Sequence, residues 1–201
     1  MIYGIKPVDY LVRARSLLDA KDNAALFYAA FELRCGIEAR LKEYFDGQAE
    51  TTKLKRAGWK IDKLAKQVEN VFKINSNKGL RLEIFDAETN MPITTVLYTP
   101  VTPQLRKMAE RLGGYLHSQN VKEIDTERYW TAMRKQLEMT YLELGFATSG
   151  ALLAPPLAHP TNKEAHFFCL AGNQTNILPP GKQIGIHWNI YEVEPLNEAD
   201  F

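Results

Sequence analysis

Only two cysteines, Cys35 and Cys169, occur in the 201 residues, and they form neither a CxxC pair nor any regular spacing. That excludes a disulfide framework and leaves two reduced thiols in a cytoplasmic protein as the expectation. Long apolar runs are missing too. No stretch approaches the roughly 18 uninterrupted apolar residues of a membrane span, and Met1 to Asp9 has no charged segment leading into an apolar one, so neither a membrane partner nor a leader is expected. Excess charge of one sign is absent: 25 Lys and Arg stand against 24 Asp and Glu, a net charge of +1. The balance favours no polyanionic partner by itself, so the distribution of charge has to carry that argument. There is no Gly-rich phosphate loop, no GxSxG and no HExxH, and no internal repeat or low-complexity tract.

What is present is ordinary for a globular chain, with 45% apolar and 24% charged residues and length enough for one substantial core. Pro7 suits a first helical position and Asp9 the positive end of the dipole; Leu11, Ala14, Leu17 and Leu18 follow as a stripe, which predicts a helix over 7–19. Asp22 or Asn23 can cap a second, longer helix that stops at Gly47. Its stripe is Leu26, Ala30, Leu33, Ile37, Leu41 and Tyr44. Arg34 with Glu38 and Glu38 with Lys42 read as a solvated face, whereas Arg40 lies nearer the apolar stripe and is expected to meet a carboxylate. Ile61 to Phe72 predicts a third amphipathic helix.

The period then changes. Leu80, Leu82 and Ile84 alternate with Arg81 and Glu83, and Thr94 to Tyr98 is β-branched and aromatic, so a β-hairpin is expected around the loop 86–92. Thr102 caps a helix with Pro103 at its first position and a buried stripe of Leu105, Met108, Leu112 and Leu116. Asp125 or Thr126 starts the last helix, expected to end at Gly145, and a Pro-bearing connector follows. Ala165 to Leu170 and Gln183 to Val193 are expected to form a second hairpin across Pro179-Pro-Gly181. An isolated hairpin is marginal in water, so the two hairpins are expected to join into one small antiparallel sheet on the helices. The fold class expected is mainly α: an antiparallel bundle of about five helices, with a hairpin inserted at about 80–99 in a helical unit over 1–146, and a connector with C-terminal strands over 147–201.

Two features carry chemistry. From Lys53 to Lys66 six basic residues stand against one acid, Asp62. Lys53, Lys55, Arg56, Lys60 and Lys63 are therefore the candidate phosphate-backbone contacts, against the plainer reading of a solvated face. Arg111 and His117 close the fourth predicted helix, either side of Gly113-Gly114. Arg forks onto phosphate and His moves protons near neutral pH, which suits phosphodiester chemistry; the plainer reading has His117 capping carbonyls and Arg111 paired with a carboxylate. On a regular helix six residues turn about 600°, leaving the two side chains about 120° apart and about 9 Å along the axis. One helix thus presents them on opposite flanks of its stripe, unless the glycines break it, and a two-fold dimer offers another way to bring them together. His159, His166, Cys169 and His187 lack zinc-ligand spacing beyond His166-x-x-Cys169, so no metal is expected.

Arg111 followed by five residues and His117, before a last long helix, resembles the ribonuclease members of the HEPN superfamily (higher eukaryotes and prokaryotes nucleotide-binding). The segment Phe31-Glu-Leu-Arg-Cys-Gly-Ile-Glu-Ala-Arg-Leu-Lys42 is similar to the second helix of such domains. The resemblance covers roughly residues 7–146. Leu112 stands where many catalytic members have a polar residue, and the hairpin is an insertion. The resemblance implies metal-independent RNA cleavage without a cofactor, with Arg111 and His117 catalytic, a homodimer with a composite site, and a toxin or defence role with a neutralising protein partner. The alternative is a non-catalytic module binding RNA, a nucleotide or a partner protein. Exposure of Arg111 and His117 in one cleft favours the nuclease; a buried or paired motif favours the module.

Overall fold

The computed structural model describes residues 3–46, 61–72, 75–117, 126–154, 157–158, 166–167 and 183–194. The described chain is mainly helical, with a small antiparallel sheet. Five helices are α1 (Pro7–Asp19), α2 (Ala24–Asp46), α3 (Ile61–Phe72), α4 (Pro103–Tyr115) and α5 (Glu127–Ser149). The strands are β1 (Lys78–Asp86), β2 (Pro92–Tyr98), β3 (Leu157–Ala158), β4 (His166–Phe167) and β5 (Ile184–Glu192).

The helix starts follow the local chemistry. Pro7 opens α1, where the Asp9 carboxylate accepts the Lys6 amide at 2.9 Å. Thr102 accepts the Leu105 amide at 3.1 Å and Thr126 the Tyr129 amide at 3.2 Å, each answering an amide that the helix leaves without a partner. α2 packs against each of the other four helices. Its whole expected stripe, Leu26 to Tyr44, is buried. A β-carbon on Gly36 would lie 2.8 Å from a Leu144 methyl and 3.1 Å from the β-carbon of Tyr10, so this glycine lets α1 and α5 close on α2 together.

Three expectations about helices are corrected. α5 passes Gly145 and runs to Ser149, because Leu144 and Ala147 are both buried and tertiary packing outweighs one unfavourable residue. Leu116 is exposed, since α4 ends at Tyr115 and carries it off the buried stripe. The face with Arg34 and Glu38 is not simply solvated: Glu38 is buried, and Arg34 reaches the Ala109 carbonyl of α4 at 3.1 Å as well as Glu38 at 3.5 Å.

Arg40 is 2% exposed and does meet a carboxylate, Glu43 at 3.0 Å, but backbone carbonyls take most of its donors. Nε donates to Ala147 at 2.7 Å, and the two Nη atoms donate to Leu152, Leu153 and Thr99 at 3.2–3.4 Å. Its plane lies 4.8 Å from the Tyr44 ring centre, and the Tyr44 hydroxyl accepts the Val101 amide at 2.9 Å. One guanidinium therefore ties α2 to the end of α5, to the segment after it and to the link between β2 and α4. Five N–H donors in a planar fork make such a junction possible.

The first hairpin forms as expected, and its register sets Leu82 opposite Val96 and Leu80 opposite Tyr98. Asp86 holds its turn by accepting the Glu88 and Thr89 amides at 3.0 and 3.1 Å, and Asn90 takes the left-handed φ of 55° that Asn tolerates. Leu80, Leu82, Ile84, Val96 and Tyr98 point into one buried cluster shared with the helices. β5 adds to the other edge of β1, giving the antiparallel order β2-β1-β5. The two distant strand regions thus join, as expected, but the second hairpin does not: β4 pairs with β3, not with β5. On the β1–β5 ladder, Gly185 faces the Phe85 ring and Gly79 faces the Tyr191 ring, each glycine leaving room for an aromatic from the neighbouring strand.

Candidate functional site

α4 stays helical through Gly113 and Gly114 to Tyr115, and the Leu116 amide closes its end on the Gly113 carbonyl at 3.2 Å. The glycine pair therefore does not break the helix. Gly113 serves packing instead: a β-carbon there would lie 2.6 Å from Arg34 Nη1, whereas one on Gly114 would meet nothing within 4 Å. The first glycine makes room for the guanidinium that bridges α2 and α4; the second has no neighbour to accommodate.

Arg111 and His117 are both exposed. Arg111 lies on the last full turns of α4, and among the described residues no hydrogen bond or ion pair engages it. His117 stands just past the cap residue Leu116. Leu112, directly after Arg111, is completely buried. α4 is regular to Tyr115, and His117 lies beyond its cap residue Leu116, outside the helix.

Of the candidate phosphate contacts, Lys63 is exposed on the first turn of α3; Lys53, Lys55, Arg56 and Lys60 lie outside the described residues. α3 comes close to Arg111's helix through a pair of carboxyls. The Asp62 carboxyl beside Glu110 raises the Glu110 carboxyl above the usual range. Of the dismissed metal set, His159 and Cys169 lie outside the described residues, and His187 is exposed with its ring 4.4 Å from that of Phe85.

An apolar groove beside the motif escaped sequence reading. It measures about 490 Å³ and is lined by Phe27, Tyr28, Phe31, Tyr115 and Leu116. Its floor is fixed: the Tyr115 hydroxyl and Gln136 Oε1 lie 2.8 Å apart, and the Phe27 ring meets Trp130 edge-on at 5.6 Å. Burial pushes the Tyr115 hydroxyl up, with Tyr129 adding to the shift and the Arg111 charge opposing it. Tyr28 and Phe31 stand 66% and 48% exposed, an unusual state for two aromatics one turn apart. That spacing, i and i+3 off the α2 stripe, was the one available signal. A larger cleft of about 960 Å³ is lined by Trp130, Lys21, Lys135, Glu127 and Glu138 among others. Arg134 on its wall is engaged by the Leu18 and Ala20 carbonyls at 2.5 and 3.3 Å.

No family model, curated protein or solved structure matches this chain. No helix among the described residues is long and apolar enough to cross a membrane, and no group of three or more His, Cys, Asp or Glu among them is arranged to hold a metal ion.

Proposed function

We propose that the protein is a metal-independent endoribonuclease of the HEPN type, built on an antiparallel helical bundle with an inserted hairpin, and acting as a toxin or defence effector. The observation that carries the reading is the state of the motif: Arg111 and His117 are both exposed, and no ion pair among the described residues occupies Arg111. A guanidinium kept only for structure would normally be found paired, as Arg13, Arg15 and Arg40 are here.

In the proposed reaction the ribose 2′-hydroxyl oxygen attacks the adjacent phosphorus. Its proton passes to a base, the bond from phosphorus to the 5′-oxygen breaks, and the leaving oxygen takes up a proton. His117 serves as the general acid or base, a role that contributes roughly 10²–10⁴-fold. Arg111 stabilises the charge that grows on the non-bridging oxygens. Lys63, with Lys53, Lys55, Arg56 and Lys60, supplies contacts to flanking phosphates. A helix continued to residue 117 would hold the two side chains about 120° apart; in the proposed site a second copy completes the pair, Arg111 of one protomer meeting His117 of its partner.

The test is incubation of purified protein with total RNA in EDTA, beside His117→Ala. Cleavage leaving 2′,3′-cyclic phosphate ends, lost in the variant, supports the reading. Cleavage that EDTA abolishes, or that survives in His117→Ala, overturns it. RNA binding without cleavage leaves the non-catalytic module as the function.

A further inference from the structure

The groove of Phe27, Tyr28, Phe31, Tyr115 and Leu116 is open, apolar and adjacent to the motif without belonging to it. Four of its five lining residues are aromatic, which suits a flat π-system better than an aliphatic side chain. Its size falls within the roughly 300–1,000 Å³ of small-molecule sites. Two of its aromatics, Phe27 and Tyr115, are held by neighbours, whereas Tyr28 and Phe31 expose their rings to solvent from one flank of α2.

Charge decides between occupants. Arg111 lies four residues before Tyr115 on the same helix, so the two side chains are neighbours on one face. Their proximity is also felt electrostatically, since the cation acts on the Tyr115 hydroxyl. His117 follows Leu116 directly. The groove therefore has aromatic walls and a cation at its rim that no ion pair among the described residues neutralises. A nucleotide brings the complement of both, a planar base and an anionic phosphate. The apolar face of a second copy would leave the cation unanswered.

We infer that this groove is a base-stacking subsite that seats one unpaired nucleobase of RNA next to the phosphate held by Arg111, restricting the protein to single-stranded substrate. The inference rests on the proposed ribonuclease reading for its placement, but binding tests it separately from cleavage. A base inside a duplex is stacked on both faces and cannot enter, so the groove selects unpaired RNA.

The probe is a fluorescein-labelled 12-nucleotide RNA with 2′-O-methyl riboses throughout, which the proposed chemistry cannot cut, read by anisotropy as a single strand and as a duplex. The intact protein is expected to bind the single strand at least tenfold more tightly than the duplex. Removing both exposed rings in Tyr28→Ala/Phe31→Ala should weaken single-strand binding tenfold or more, the scale of one lost stack. Tyr28→Phe keeps the ring and should bind as the intact protein does. Circular dichroism should be unchanged, since both side chains are exposed. The inference is overturned if the double variant binds normally, if duplex and single strand bind alike, if neither binds, or if the double variant only turns a dimer into a monomer. Groove-dependent binding by a protein that fails to cleave unmodified RNA would end the nuclease reading and leave the subsite standing.

Discussion

Nε of Arg40 donates to the Ala147 carbonyl at 2.7 Å, joining the middle of α2 to the last turn of α5. Thr99 Oγ1 donates to the same carbonyl at 3.0 Å and accepts the Gly150 amide, also at 3.0 Å. Carbonyls in the last turn of a helix have no partner within it, so a buried helix end must find donors elsewhere. Here a guanidinium from the central helix supplies one, and the segment 150–154 and the link between β2 and α4 are fastened by the same group.

Arg40→Met should therefore be among the most damaging single changes in the chain. It removes every donor at once and leaves Ala147, Leu152, Leu153 and Thr99 carbonyls with fewer partners in a dry site. The loss expected is about 3–5 kcal/mol, the range for breaking a buried charged network. Arg40→Lys should recover only part of it, since an ammonium offers three donors without the fork. Urea unfolding of the three proteins measures this; a midpoint for Arg40→Met within error of the native one would show that the junction contributes nothing.

The two central glycines of the motif should respond in opposite ways. Gly114→Ala meets no atom within 4 Å and should gain about 0.5–1 kcal/mol of helix propensity. Gly113→Ala must displace Arg34 Nη1 and its bond to Ala109, so that gain should be cancelled or reversed. Melting temperatures of the two variants decide it, with Gly114→Ala expected to be the higher by a few degrees.

Periodicity made the helices legible because each buries a stripe, and caps such as Thr102 and Thr126 mark their starts in the residue type itself. It failed where a residue's environment comes from another element. Gly145 reads as a stop, yet the burial of Leu144 and Ala147 carries α5 past it. Arg34 and Glu38 read as an ordinary surface pair, since nothing local reveals that α4 covers that face. That the two distant strand regions join was legible from the need for area, but β4's partner was not, because a two-residue strand has no period to read. At the site, exposure of Arg111 and His117 followed from their places beside the stripe. The groove did not, because it arises only when the end of α4 lies against α2.

Glu38 makes stability depend on pH in a direction opposite to the usual paired carboxylate. Burial raises its carboxyl above the ordinary value, with Arg34 and Lys42 opposing. The folded state therefore holds this proton more tightly than the unfolded chain does. Its contribution is fully present below the unfolded carboxyl's pKa of about 4.3 and is lost as pH rises through the raised folded value. Glu38→Gln cannot lose that proton, so its melting temperature should improve relative to the native protein as pH is raised from 4 to 7. A difference between the two that does not vary with pH, or that moves the other way, would count against burial as the dominant cause.

The proposed composite site makes a numerical prediction. Arg111→Ala and His117→Ala should each abolish cleavage while leaving helical circular dichroism nearly unchanged, since both side chains are exposed. Mixing the two inactive chains in equal amounts and letting protomers exchange gives mixed dimers in about half the population. Each mixed dimer has one site with both residues and one with neither, so about a quarter of native activity should return. A site made within one chain predicts no recovery, because no chain in the mixture carries both groups. Sedimentation run alongside must show a dimer. A monomer that cleaves at the full native rate would refute the two-chain site.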